Sequence, residues 1–236
     1  MKFINVIQHF AGRGLFEFDH LFAVAGGRRA TLHQQLGRWK KEGLVIHLRR
    51  GIYALPDKMT PIMPNTERIA NVLHGCDSYV TGLWQMNRLG LFPEGVNTVT
   101  SVTTGNTAKF ETPLGNYTYY RIEPRGFFGY ETKYDPRGQP MTIACPEKAI
   151  LDFFWLKKIE WDETEFRRWR IEDPWGSLNH EKIESMARQW GAARLIRAAR
   201  KFTAYLEKQK KETTTTGLSG SGLSCRTPQD KMSSVR

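Results

Sequence analysis

The chain has 236 residues, a net charge of +11, 40% hydrophobic and 25% charged residues, and three cysteines. This is ordinary for a globular protein and enough for one large or two modest cores. It excludes a disulfide scaffold, since Cys76, Cys145 and Cys225 are odd in number and far apart, and it excludes a transmembrane helix, since apolar runs such as Ala149 to Leu156 are interrupted and too short.

The first ten residues lack the apolar core and cleavage site of a signal peptide, so a cytoplasmic location with reduced thiols is expected. Apolar residues at 3, 4, 7 and 10 predict a short amphipathic helix, broken by Gly12-Arg13-Gly14. Phe16 to Asp19 leads into a second helix over His20 to Val24, with Glu17 or Asp19 where a carboxylate favours the helix dipole. Gly26-Gly27 supplies a turn. In the third helix Leu32, Leu36 and Trp39 recur at i, i+4, i+7, leaving Arg28, Arg29, Thr31, Gln34, Arg38 and Lys41 off the apolar stripe. Gly43 ends it. Val45 to Leu48 and Ile52 to Leu55 then bracket Arg49-Arg50-Gly51, a basic hairpin tip in which Gly51 is expected at positive φ.

Helix, helix, turn, helix and hairpin over residues 1–56 predict a winged helix-turn-helix DNA-binding domain. Those residues hold nine Lys/Arg against three Asp/Glu, whereas residues 57–156 hold nine against ten. The positive field is concentrated on the predicted reader, which points to double-stranded DNA as partner.

Pro56, Pro61 and Pro64 predict an extended linker, residues 57–65. Asn65 or Thr66 caps a helix running to about His74, and Tyr79 to Leu89 reads as another. Strands are expected over Val96 to Thr104, around Phe110, over Tyr117 to Ile122 after a tight turn at Pro113 to Asn116, and over Thr142 to Ala144. Pro146 opens a helix through Phe154, and further helices follow over about 162–170, 179–190 and 192–211. The fold class is therefore α+β, with a winged helix followed by a mixed α+β domain, residues 66–212, that ends in helices. The Thr, Gly and Ser tract of 213–236 is expected to be a disordered tail.

Arg28 and Arg29 stand where such readers place base contacts, and a guanidinium can grip guanine O6 and N7. One is expected to read a base and the other to hold a phosphate. Thr31, Gln34 and Arg38 are the next candidates, Gln34 toward adenine, while Lys41 adds to the field. Arg49 and Arg50 can sit on phosphates or in a narrow minor groove. HExxH, GxSxG, P-loop and C-x-x-C motifs are all absent from the sequence, so no catalytic residue, metal or cofactor is expected. Glu147-Lys148 with Asp152 faintly suggests a metal-dependent nuclease. Adjacent helical residues point about 100° apart, however, so Glu147 near the dipole and Asp152 in an ion pair are the expectation. On the last helix Leu195, Ala199, Phe202 and Leu206 form one face, with Arg194, Arg197, Arg200 and Lys201 largely elsewhere.

Leu48-Arg49-Arg50-Gly51-Ile52-Tyr53-Ala54-Leu55, Tyr79-Val80-Thr81-Gly82-Leu83-Trp84, Thr98-Val99-Thr100-Ser101-Val102-Thr103 and Pro146-Glu147-Lys148-Ala149-Ile150-Leu151-Asp152 occur in that order. Together they resemble the AbiEi family, the antitoxin and transcriptional regulator of type IV AbiE toxin–antitoxin systems in prokaryotic phage defence. The resemblance covers roughly residues 1 to 160 and leaves the Trp-rich end unplaced. It implies a repressor that binds its own operon's promoter and an antitoxin opposing a nucleotidyltransferase-like toxin, without a stable complex between the two. One alternative is an interaction module that neutralises the toxin with DNA binding secondary; another is the nuclease. A reader of this kind often works as a dimer on paired sites, yet no dimerisation heptad is present.

Overall fold

The computed structural model describes residues 2–61, 63–75 and 77–218. The chain begins with α1 (Phe3–Phe10), β1 (Leu15–Glu17), α2 (Phe18–Ala25), α3 (Arg29–Lys41), β2 (Ile46–Arg49) and β3 (Ile52–Ala54). Apolar faces of the three helices close over Val6, Phe10, Phe16, Leu21, Leu32, Leu36 and Trp39, all buried with Tyr53 and Leu55. The strands form an antiparallel sheet in the order β1-β3-β2. Its first strand lies in the segment expected only to lead into the second helix: Leu15 and Phe16 pair with Ala54 and Tyr53, so tertiary pairing decides the backbone there. Gly51 turns the hairpin at φ 82°, the left-handed conformation expected of it.

The expected linker, residues 57–65, does not begin in extended form. Asp57–Met59 form a 3-10 turn, and Thr60 is buried with its hydroxyl donating to the Ala11 carbonyl. Then follow α4 (Thr66–Leu73), β4 (Ser78–Val80), α5 (Gly82–Arg88), β5 (Thr98–Thr103), β6 (Ala108–Thr112), β7 (Gly115–Arg121), β8 (Tyr130–Tyr134) and β9 (Pro140–Ala144). Asn65 caps α4 by accepting from the Arg68 amide at 2.6 Å. The helix expected to start at Tyr79 is instead a strand and then a helix. Tyr79 and Val80 fill opposite faces of a central strand, and α5 starts only at Gly82, whose φ of 61° makes the corner. β8 has no counterpart among the expected strands.

The mixed sheet runs β6-β7-β5-β4-β9-β8. β4 is antiparallel to β5 and parallel to β9; β5 is parallel to β7. One face is covered by Ile69, Ala70 and Leu73 of α4 and by Leu15, Leu48, Ile52 and Ala54 of the small sheet, all in one buried cluster with Val80, Val99, Tyr119 and Ile143. The N-terminal unit and the larger domain therefore share a core.

The other face carries α5, α6 (Pro146–Lys157), α7 (Glu163–Arg168), α8 (His180–Trp190) and α9 (Ala193–Leu218). Here the Trp-rich end finds its place: Trp161 and Trp190 are fully buried with Phe154, Phe166 and Phe202. Arg194, expected off the apolar face of the last helix, donates to the carbonyls of Phe154, Trp155 and Ile159 at 2.9–3.3 Å and so closes the C-terminal end of α6. α9 runs through the threonines assigned to the disordered tail as far as Leu218, and residues 219–236 lie outside the described residues.

Gly126 lies against the Trp190 indole, and a Cβ there would come within 2.5 Å of ring atoms. The ring is enclosed and cannot yield. Gly126→Ala is expected to cost about 1–3 kcal/mol in denaturant unfolding.

Candidate nucleic-acid interface

At about 100° per residue, Thr31, Gln34, Arg38 and Lys41 fall within an arc of about 80°, opposite the Leu32, Leu36 and Trp39 stripe. Burial of that stripe fixes the outward direction of the other four, all of which are exposed. None makes an ion pair or side-chain hydrogen bond with the described residues, so the helix offers a free guanidinium, ammonium, amide and hydroxyl side by side. Arg28 is exposed and precedes the first helical turn in extended backbone.

Arg29 sits apart from this group. It lies on the flank of the apolar stripe, paired with Asp19 of α2, with its guanidinium 4.9 Å from the ring centroids of both Phe18 and Phe22. It ties α2 to the start of α3 and holds a carboxylate there.

The two hairpin arginines also part company. Arg50 is exposed at the tip. Arg49 folds back onto the larger domain: its guanidinium is 5.7 Å from the Phe110 ring centroid, and a Cβ on Gly75 would meet Nη2 at 2.8 Å. Its buried Nε has no hydrogen-bond partner among the described residues. A register shift between His47 and Arg49 in the β2–β3 pairing accompanies this turn of the side chain. The structure thus groups Thr31, Gln34, Arg38 and Lys41 on one helix, keeps Arg28 and Arg50 exposed, and engages Arg29 and Arg49 internally.

His47, on the hairpin, packs 5.2 Å from the Tyr53 ring centroid. Burial lowers its pKa, and the nearby Lys40 lowers it further, against a backbone hydrogen bond that raises it. The unfolded chain therefore binds a proton more readily than the folded one. Stability contributed by neutral His47 is complete above about pH 6.5, the unfolded value, and is lost as pH falls from there toward the lower folded-state value. Wild type should lose midpoint stability between pH 7.5 and about 5.5 more steeply than His47→Gln, as followed by urea unfolding across that range.

The residues suggestive of a nuclease are differently engaged. Glu147 pairs with Lys182 at 2.8 Å and accepts from the Asn179 amide at 3.3 Å. Burial works to raise its carboxyl, but Lys182 and the backbone amides hold it below the ordinary range. Lys148 turns to Asp152 one turn along α6, and both are fully buried. Among the described residues no group of three or more His, Cys, Asp or Glu is placed to hold a metal ion, and no helix is long and apolar enough to cross a membrane.

Comparison with known proteins places no relative beside this arrangement: no family model matches the chain, and no curated protein matches it.

Proposed function

We propose that residues 1–56 are a winged helix-turn-helix that reads duplex DNA, and that the protein represses its own operon and acts as an antitoxin against a nucleotidyltransferase-like toxin. The observation that carries the DNA reading is the exposed, unpaired Thr31, Gln34, Arg38 and Lys41 face of α3, with its other side locked into the core. A helix of this kind fits the major groove, where arginine and glutamine distinguish guanine and adenine. Arg28 at the helix start and Arg50 at the hairpin tip supply phosphate contacts. Arg29 and Arg49 brace the reader: one fixes α3 to α2, the other fixes the hairpin to the larger domain. The repressor and antitoxin roles rest on the ordered resemblance to the AbiEi family.

The direct test is fluorescence anisotropy of the full chain with duplex from upstream of its own operon and with a scrambled duplex. Tighter binding to the native duplex, with affinity falling steeply as salt rises, is expected. Equal affinity for both duplexes would remove the sequence-specific reading. Co-expression of the neighbouring gene with the Gln34→Ala/Arg38→Ala variant separates the two roles, because the antitoxin activity of the larger domain should persist when DNA binding is lost. Failure of the wild type to protect cells would end the antitoxin reading and leave the DNA reading standing.

A further inference from the structure

The two edges of the six-stranded sheet differ. At one, β6 lies against β2, and its Ala108 and Phe110 pack on the shared core. At the other, β8 pairs with β9 alone, and all five of its residues, Tyr130-Glu131-Thr132-Lys133-Tyr134, are exposed. Such an edge is a template for another strand unless the chain blunts it.

The ladder identifies which backbone groups are free. The Asp135 amide donates to the Gln139 carbonyl, and the Cys145 amide donates to the Gly129 carbonyl, each at 3.0 Å. Antiparallel pairs alternate between bonded and non-bonded, so Glu131 and Lys133 direct their amides and carbonyls at β9. Tyr130, Thr132 and Tyr134 direct theirs outward.

We propose that this edge is a homodimer interface, with β8 pairing antiparallel to β8 of a second copy about a two-fold axis at Thr132. The sequence is self-complementary in that register. Thr132 meets its own copy in a bonded pair, Tyr130 meets Tyr134, and about six backbone hydrogen bonds form. Glu131 then faces Lys133 of the other copy in a non-bonded pair, the arrangement that brings side chains closest, and symmetry makes that contact twice. A lone edge lysine would repel a second copy; Glu131, 2.9 Å from Lys133 within the strand, converts repulsion into a match. The two sheets would join into one.

This inference stands without the DNA reading and is tested without DNA. Sedimentation equilibrium of the full chain over a range of concentrations should give a monomer–dimer equilibrium. Glu131→Lys or Lys133→Glu places like charges opposite each other twice, and each should weaken the dimer at least about tenfold. The double swap, Glu131→Lys with Lys133→Glu, restores opposite charges and should restore the dimer. Thr132→Pro removes an outward donor without touching the β9 ladder and should give a monomer. The charge variants change only exposed side chains, so they decide the matter even if the proline variant fails to fold. In amide exchange, Tyr130, Thr132 and Tyr134 should gain protection with concentration, while Glu131 and Lys133 stay unchanged. A wild type that is monomeric at every attainable concentration, or a dimer indifferent to the charge reversals, overturns the proposal.

Discussion

Lys148→Met should be among the most damaging single changes in this protein, costing about 3–5 kcal/mol of unfolding free energy. Lys148 and Asp152 form an ion pair with both side chains wholly inaccessible. The Lys148 ammonium also donates to the Tyr79 hydroxyl at 2.8 Å and lies 4.3 Å from the Trp190 ring centroid and 5.2 Å from that of Phe128. Thr81 donates to the other Asp152 oxygen at 2.7 Å. Burial alone drives the Lys148 pKa down and the Asp152 pKa up, and each partner opposes the shift of the other. Removing the ammonium leaves a carboxylate at the junction of α6 and β4 with no cation to offset its desolvation. The pair is mutually dependent, so Lys148→Met/Asp152→Asn should recover part of the loss: a neutral amide still accepts from Thr81 and no isolated charge remains. Urea unfolding of both variants checks this. A loss below about 1 kcal/mol in Lys148→Met would mean that water or a rearranged side chain supports Asp152.

Much of this architecture was legible because one side of an element meets water. In α3, three apolar residues on one face predict both the helix and the direction of Thr31, Gln34, Arg38 and Lys41. Asn65 announces α4, Pro146 opens α6, and Gly51 marks the hairpin turn at its observed φ. The failures share a cause. β4 is central and buried on both faces, so it has no alternation, and Tyr79 and Val80, two of its three residues, read as the start of the helix that follows. In β8, Tyr130, Thr132 and Tyr134 alternate with Glu131 and Lys133, but every position is exposed and none is aliphatic, so the alternation is a weak strand signal. β1 exists because β3 is beside it. The same limit applied to the site. Periodicity tells which side chains leave the helical core, but not that Asp19 and two phenylalanine rings await Arg29, nor that a register shift beside Arg49 turns it onto Phe110. In the larger domain the expectation of Asp152 in an ion pair is met by Lys148.

Substituting the arginines one at a time should divide them into three kinds by DNA binding and stability together. Arg38→Ala, on the free face of α3, should weaken binding to the native duplex by about 1–3 kcal/mol and narrow its advantage over a scrambled duplex, with unfolding unchanged. Arg50→Ala removes an exposed cation at the hairpin tip. It should weaken binding to both duplexes alike and reduce the slope of log affinity against log salt by about one, the mark of a phosphate contact. Arg49→Ala should leave that slope unchanged, because its guanidinium rests on Phe110 in the larger domain, and should instead lower stability by about 1 kcal/mol through lost packing at the shared core. Opposite behaviour of the two adjacent arginines is the sharp part. Were Arg49→Ala and Arg50→Ala to lower the salt slope equally with unfolding intact, the fold-back of Arg49 would not persist on DNA, and the hairpin would act with both arginines on the duplex.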